Sequence, residues 1–264
     1  MASVICVANQ KGGVGKTTTC VNLAASLAAT QRRVLLIDLD PQSNATMGCG
    51  IDKNSLDYTV CDVLLDDMAA ADVLQPAPEG GFTLLPSNQE LTSAEVELVQ
   101  KPDREFRLRK ALAPLVARYD YILIDCPPAL NMLTVNALTA ADFVLIPMQC
   151  EYFALEGLSA LVGTIDRIRG TSNPKLEIHG ILRTMFDPRN NLANEVSAQL
   201  SAHFGDRVYN TVIPRNVRLA EAPSYGLPGV AFDPAARGSQ AFVEFAREMV
   251  ARLEAMRPAV PRAA

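Results

Sequence analysis

The chain has 264 residues, of which 49% are hydrophobic and 20% are charged, and its formal net charge is −5. This length supports one large α/β domain with an ample core, and the hydrophobic share excludes a disordered chain. The mildly acidic balance excludes a protein coated in positive charge but is compatible with a local basic patch.

Apolar runs alternate with helix-like segments along the chain. The runs at 3–8, 33–40, 119–128 and 142–149 are hydrophobic throughout, as are strands buried on both faces of a parallel sheet. Further strands are predicted at 176–186 and 208–215, and helices at 17–30, 103–117, 131–140, 154–169, 191–203 and 238–256. This order predicts an α/β fold with a doubly wound, mostly parallel sheet flanked by helices.

One domain accounts for residues 1–256. The segment "QPAPEGG" at 75–81 is predicted to be a turn-rich loop rather than a domain boundary, and the tail at 257–264 to be disordered. Neither a signal peptide nor an apolar run of the ~20 residues that span a bilayer is evident, so we expect a cytoplasmic protein. The cysteines have no metal-ligand spacing and are predicted to be reduced packing residues: Cys6, Cys20, Cys49, Cys61, Cys126 and Cys150.

The stretch "ANQKGGVGKTTT" at 8–19 follows the first predicted strand and opens a helix. Its end, "GKTT", fits the phosphate-binding pattern G-x-x-x-x-G-K-[ST], but Gln10 stands where the first glycine belongs and a second lysine, Lys11, follows it. Lys16 is the expected phosphate lysine and Thr17 the expected Mg²⁺ ligand. The backbone of the loop is predicted to cradle phosphate together with the helix N-terminus, through Gly12, Gly13, Val14, Gly15 and Thr18.

Three aspartates end two of the predicted strands. "VLLIDLD" places Asp38 and Asp40 at the end of one strand, and "YILIDCPP" places Asp125 at the end of another. Ligands of open α/β sheets bind at the carboxyl ends of the strands, and P-loop enzymes hold magnesium through an aspartate in such a position. Beside a phosphate loop, these carboxylates predict a site for a nucleotide and a metal together.

Several of these motifs resemble one family. "KGGVGKTT" (11–18), "DLDPQSNAT" (38–46) and "DCPP" (125–128) look like the deviant P-loop, switch I and switch II of the ParA/MinD class of P-loop NTPases. "QCEYFALEGL" (149–158) and "VIPRNVRLAEAPSYG" (212–226) resemble the chromosomal ParA, or Soj-like, branch. Ser43 departs from the glycine usual in that branch. The resemblance implies an Mg²⁺-dependent ATPase that partitions DNA.

The resemblance also implies roles for individual residues. Lys11 reaches across an ATP-bound sandwich dimer to the phosphates of the other subunit, a task for which other P-loop enzymes use an arginine finger. Asp40 orients the attacking water, while Asp38 supports the loop and the metal shell. The implied metal set is Thr17, Asp40 and Asp125, and the implied nucleotide contacts include Glu151 across the dimer and Pro214 with Arg215 on the adenine side.

A stretch with several arginines, 183–218, has a small excess of positive charge, and its composition is compatible with either a nucleic-acid surface or an ordinary solvated face. Resemblance to ParA proteins implies DNA binding without sequence preference by the ATP-bound homodimer, and Arg189, Arg215 and Arg218 are the predicted contacts. No helix-turn-helix extension precedes the domain, which argues against reading a specific operator. The resemblance further implies a ParB-type centromere-binding partner that stimulates hydrolysis, and association with the nucleoid.

Three other functions compete with DNA partitioning. A MinD-like membrane-cycling ATPase needs a C-terminal amphipathic helix with a basic face, but Phe242, Phe245, Met249 and Leu253 follow the spacing of a core stripe, so stable membrane binding is not expected. A metal-cluster reductase needs bridging cysteines, and only Cys126 is suitably placed. A DNA-binding scaffold without catalysis would not need the complete set of ATPase motifs.

Overall fold

The structure, a computed structural model, describes residues 2–256, so the predicted tail at 257–264 lies outside the described residues. Eight strands form one sheet: β1 (Ser3–Val7), β2 (Val34–Asp38), β3 (Gln75–Pro76), β4 (Thr83–Leu85), β5 (Tyr121–Asp125), β6 (Phe143–Met148), β7 (Glu177–Phe186) and β8 (Val208–Pro214). Their order across the sheet is β3-β4-β2-β5-β1-β6-β7-β8. Within residues 2–256, β3 and β4 pair antiparallel and the other neighbouring strands pair parallel. The predicted doubly wound sheet is confirmed.

Helices connect the strands and cover both faces of the sheet. In chain order they are α1 (Lys16–Ala28), α2 (Asn44–Gly48), α3 (Val60–Leu65), α4 (Ala70–Val73), α5 (Leu91–Glu97), α6 (Arg107–Leu112), α7 (Met132–Ala140), α8 (Ala154–Gly170), α9 (Asn191–Phe204), α10 (Val217–Glu221), α11 (Gly229–Phe232) and α12 (Arg237–Met256). Among the described residues, no helix is both long and apolar enough to span a bilayer.

Successive side chains of the buried strands point to opposite faces of the sheet, so the hydrophobic core forms two clusters, one on each face. On β1, Val4 and Cys6 face the cluster that contains α7 and α8, whereas Ile5 and Val7 face the cluster that contains α1 and α12. The predicted core stripe of α12 is confirmed, because Phe242, Phe245, Met249 and Leu253 are each at most 2% exposed. The apolar face of this helix is therefore occupied by the protein's own core.

Two predicted segments differ from the structure. The helix expected over 103–117 is limited to α6, which ends at Leu112, just before Pro114, a residue that has no N–H group to continue the hydrogen bonds of the helix. The loop expected over 75–81 begins with β3, which pairs with β4 in a tight hairpin closed by a 3.0 Å hydrogen bond from Ala77 N–H to the Phe82 oxygen. Gly81, with φ of +68°, supplies the left-handed residue of this turn.

Candidate nucleotide-binding site

The phosphate loop connects β1 to α1 at the carboxyl edge of the sheet. Gly13 and Gly15 have φ of +74° and +86°, the left-handed region that glycine enters without steric cost. Gly15 stands at the N-terminus of α1 and, within residues 2–256, no side chain caps the first turn of that helix. The N–H groups of this turn are thus available to an anion such as phosphate.

The loop rests on two segments that sequence reasoning did not connect with it. The Thr184 hydroxyl, on β7, donates a 2.8 Å hydrogen bond to the oxygen of the buried Val14. The Gln149 amide donates to the Gly13 oxygen at 3.4 Å. A side chain at Gly15 would contact Thr184 at 3.9 Å, so the loop and β7 are already in close packing. These contacts fix the backbone geometry from outside the motif.

The two lysines of the loop occupy opposite environments. Lys16 is 7% exposed, and its Nζ atom lies 3.3 Å from the main-chain oxygen of Lys11. Burial lowers the pKa of Lys16, while the nearby carboxylates of Asp125 and Asp40 act in the opposite direction. The Lys11 side chain is 43% exposed and forms an ion pair with the Glu151 carboxylate at the surface. Lys16 therefore belongs to its own subunit's cradle, and Lys11 faces outward.

Asp38 and Asp125 are direct partners across β2 and β5, and both are fully buried. Asp38 Oδ2 accepts two 2.7 Å hydrogen bonds from the N–H and hydroxyl of Thr46. Burial raises the pKa of Asp38. Burial and the charge of Asp38 raise the pKa of Asp125, whereas the Thr17 hydroxyl and the Lys16 ammonium lower it. Asp38 thus fixes the segment that follows β2 through its hydrogen bonds to Thr46.

Asp40 follows Asp38 by two residues and contacts it through its main chain. Its N–H donates to Asp38 Oδ1 at 3.2 Å, and its own Oδ1 accepts from the Gln42 N–H at 3.0 Å. Its side chain accepts one hydrogen bond among the described residues, whereas that of Asp38 accepts three. The Ser87 hydroxyl, which sequence reasoning missed, donates to the Asp40 oxygen at 2.9 Å and fixes the backbone of the switch.

Ser43, which departs from the glycine expected from the resemblance, has a backbone conformation that favours glycine. Its φ is +59°, in the left-handed region that side chains rarely adopt. Its hydroxyl lies 3.2 Å from the Pro41 oxygen and 3.3 Å from the Ser87 hydroxyl, and the residue is fully buried. These hydrogen bonds offset the conformational cost, so serine maintains the same turn.

Two of the three residues predicted to hold Mg²⁺, Thr17 and Asp125, have chemistry that suits that ion. Asp125 Oδ2 is buried and lacks a hydrogen-bond partner throughout the part of the chain that the structure describes, next to Thr17. Residues 2–256 contain no cluster of three acidic, histidine or cysteine side chains suited to a metal. Mg²⁺ commonly binds through one or two protein ligands with substrate phosphates and water, so a sparse donor set of this kind suits it.

The predicted adenine-side residues lie beside the phosphate loop. A cavity of about 180 Å³ is lined by Pro214, Arg215 and Asn216 together with Gly15 and Thr18. The loop after β8 thus reaches the N-terminal turn of α1, although nearly 200 residues separate the two segments in the sequence. Glu151 lies at the opposite side of the loop, paired with Lys11.

Two of the predicted DNA contacts follow neighbouring strands, and the third, Arg218, lies on α10. β7 and β8 end side by side, with Phe186 opposite Pro214, so Arg189 and Arg215 follow neighbouring strands. Arg189 pairs with Asp187 at 2.7 Å, and Arg218 pairs with Glu221 at 2.9 Å and Asp233 at 3.4 Å. Arg215 has no ion pair among the described residues.

The cysteines are unpaired thiols, all buried, which is the packing role expected of them.

Comparison with known proteins agrees with this geometry. Residues 2–178 match the model of a family described as an AAA domain. The chromosome partitioning protein ParA of Myxococcus xanthus is 51% identical over 249 residues, which cover 94% of this chain and 88% of that protein. The sporulation initiation inhibitor protein Soj of Bacillus subtilis is 49% identical over 95% of this chain and 99% of its own length. The chain belongs to the ParA/Soj family of partitioning ATPases.

A solved structure with bound nucleotide shares the fold of this chain. Cobyrinic acid a,c-diamide synthase from Mycobacterium smegmatis, crystallised with bound ADP and magnesium, has a TM-score of 0.85 and 37% sequence identity, and the match covers 97% of each chain. That identity is lower than the identity to either partitioning protein. The predicted P-loop fold and family are confirmed.

Proposed function

We propose that this ParA/Soj protein partitions DNA by an ATP-driven cycle. ATP and Mg²⁺ bring two copies into a sandwich dimer, the dimer binds DNA without sequence preference, and a ParB-type partner releases it by stimulating hydrolysis. The observation that carries the proposal is the contrast within one loop: Lys16 is buried beside the carboxylates, and Lys11 is half exposed at the rim. A single-subunit ATPase has no evident need for the outer lysine.

Nucleotide binding rests on the residues of the cradle. The α1 N-terminus and Lys16 would bind the phosphates, and the cavity beside Pro214 and Arg215 would accept part of the base or sugar. ADP and magnesium bound to the M. smegmatis protein support this assignment. Thr17 and Asp125 would hold Mg²⁺, with Asp40 close to its shell. When bound, the ion neutralises part of the phosphate charge.

Hydrolysis requires a positioned water and a site rich in positive charge. Asp40 would orient the water that attacks the γ-phosphorus, and the bond from that phosphorus to the β,γ-bridging oxygen breaks as ADP leaves. Lys16 stabilises the charge from its own subunit, and Lys11 of the other copy supplies the second cation. Cations supplied in trans to such transition states accelerate hydrolysis by about 10³–10⁵.

DNA binding is assigned to the edge that carries Arg189, Arg215 and Arg218. Dimerisation would double this set, which makes binding conditional on ATP. Phosphate contacts carry no sequence information, consistent with non-specific binding and with association with the nucleoid. Since two of these arginines already have carboxylate partners, Arg215 is expected to contribute most.

The test measures hydrolysis and binding under matched conditions. ATPase activity is recorded alone, with duplex DNA, with a candidate ParB-type protein, and with both. Co-sedimentation with DNA and with anionic liposomes is compared in ADP and in ATP. ATP-dependent DNA binding and the highest turnover with both additions support the proposal. ATP-dependent binding to liposomes alone would instead identify a membrane-cycling ATPase, and binding without turnover a scaffold.

A further inference from the structure

Two large aromatic side chains stand in solvent next to the outer lysine. Tyr152 and Phe153 are 74% and 68% exposed, and their rings contact each other edge to face with centroids 5.0 Å apart. They follow Glu151 directly, and Glu151 pairs with Lys11 of the phosphate loop. No role assigned above uses these rings.

The backbone holds the rings outward. Cys150 and Ala154, on either side, are each only 7% exposed and anchor the segment in the core. Between them the chain turns tightly, with hydrogen bonds of 3.0 Å from Glu151 N–H to the Gln149 oxygen and from Ala154 N–H to the Glu151 oxygen. The Gln149 side chain also contacts the Gly13 oxygen of the phosphate loop. The aromatic pair is therefore a fixed feature of the rim of the nucleotide site.

We infer that Tyr152 and Phe153 form the apolar centre of the contact between two copies of this chain in the ATP-bound dimer. The inference rests on the proposed function, because it requires that dimer. Exposed aromatic rings on a fixed backbone are typical anchors of protein interfaces, and they are most effective when surrounding polar groups exclude water.

Charge favours a second copy as the occupant. A two-fold interface brings one patch against itself, so the patch must complement its own charges. Lys11 and Glu151 provide one cation and one anion side by side, 43% and 50% exposed. A two-fold rotation places this balanced pair of charges against the same pair, so the rings can pack without a surplus of one charge, and Lys11 can still reach the other copy's nucleotide. A nucleic acid would instead need a surplus of positive charge, which this patch lacks.

The experiment uses Asp40→Ala protein as the parent, since that change should retain the dimer. Tyr152→Ala and Phe153→Ala are introduced singly and together, and sedimentation velocity with ATP and Mg²⁺ gives the dimer dissociation constant. We expect it to rise at least about tenfold in the double variant. Nucleotide affinity of the monomer should stay within about twofold, because the cradle is untouched. Tyr58→Ala, at an aromatic residue 51% exposed elsewhere, is the matched control and should leave the dimer unchanged.

Three results from the aromatic variants would overturn the inference. Dimerisation equal to that of the parent would exclude the rings from the interface. When the double substitution is placed in the chain that retains Asp40, normal dimerisation with lost stimulation of ATPase activity by a ParB-type protein would assign the surface to that partner. Lost nucleotide binding in the monomer would make the rings a support of the phosphate loop. If the Asp40→Ala parent stays monomeric in ATP, the proposed function fails and the inference with it.

Discussion

The Nζ atom of Lys16 lies 3.3 Å from the main-chain oxygen of Lys11, so a single turn of backbone links the buried lysine to the exposed one. The Lys16 ammonium points into the cradle, and the Lys11 ammonium pairs with Glu151 at the surface. The main-chain oxygen of Lys11 therefore helps to position the Lys16 ammonium. The half-exposed side chain of Lys11 can reach another molecule by exchanging its surface partner Glu151.

Lys16→Ala should weaken ATP binding by about 100-fold, because the phosphates lose a charge-assisted contact within a partly desolvated site. Titration with a fluorescent ATP analogue measures the affinity. Lys110→Ala removes a lysine that is 62% exposed and remote from the loop, and it should bind normally. Near-normal affinity in Lys16→Ala would contradict the assigned phosphate site.

Asp40→Ala should separate binding from hydrolysis. Loss of the water-orienting carboxylate is expected to reduce turnover by about 10²–10⁴, while ATP still binds and dimers accumulate. Size-exclusion chromatography with ATP and Mg²⁺, run beside a steady-state ATPase assay, records both quantities. Turnover at the wild-type rate would transfer the catalytic role to another group, with Asp125 next in line.

Asp38→Ala should behave differently from Asp40→Ala. It leaves the buried N–H and hydroxyl of Thr46 without their acceptor, so we expect the free energy of unfolding to fall by about 2–3 kcal/mol. Denaturant unfolding of the nucleotide-free protein measures the change, with Asp40→Ala as the comparison. Equal stability of the two variants would show that Asp38 does not anchor switch I.

Arg215→Glu should reduce ATP-dependent DNA affinity by about tenfold or more and flatten its salt dependence by about one unit of slope per lost phosphate contact. Arg189→Glu should have a smaller effect, because Asp187 already neutralises part of that charge. Arg118→Glu, at an exposed arginine near the start of β5, is the control. Full binding by both charge reversals would make the arginine edge an ordinary solvated surface, provided that ATP binding is intact.

The mainly local features of the site could be predicted from the sequence. Lys16, Asp38 and Asp125 follow buried apolar strands, and the parallel sheet brings those strand ends together. Ser87 and Thr184 could not be predicted, because each acts on a backbone oxygen 47 or 170 positions away and has no motif of its own. Their roles depend on tertiary contacts that neither periodicity nor spacing encodes.

The least predictable part of the fold is the segment between β2 and β5. It contains α2 to α6 and two short strands, and none of these elements is long enough for a clear hydrophobic period. Pro114 could have been used to shorten the predicted helix over 103–117, since proline in a helix interior removes a hydrogen bond. The longer elements, from β5 to α9, were close to their predicted limits.

His179 should make the fold sensitive to acid. It is 6% exposed, its Nδ1 contacts the Tyr209 hydroxyl, and burial with the neighbouring Arg252 charge lowers its pKa from 6.5 to about 4. Between these values the unfolded chain binds more protons, so this contribution to stability is complete above pH 6.5 and falls as the pH drops towards 4, by at most about 3 kcal/mol. The free energy of unfolding of wild type and His179→Gln, measured by denaturant titration from pH 6.5 to 4, tests this contribution. The variant should lose less stability than wild type as the pH falls. Equal losses in both proteins would contradict the assignment.

The role of Lys11 in trans is the centre of the proposed mechanism, and a mixing assay tests it most directly. Lys11→Ala lacks the outer lysine but keeps Asp40, whereas Asp40→Ala keeps the lysine but cannot orient water. In a mixed dimer, the Lys11→Ala subunit has its own Asp40 and receives a lysine from its partner, so one competent site returns. The ATPase rate of the mixture should exceed the rate of either variant alone, with Lys11→Ala monomers still binding ATP. Mixed dimers that form in ATP without any recovered activity, or Lys11→Ala alone with wild-type dimerisation and turnover, would contradict the mechanism.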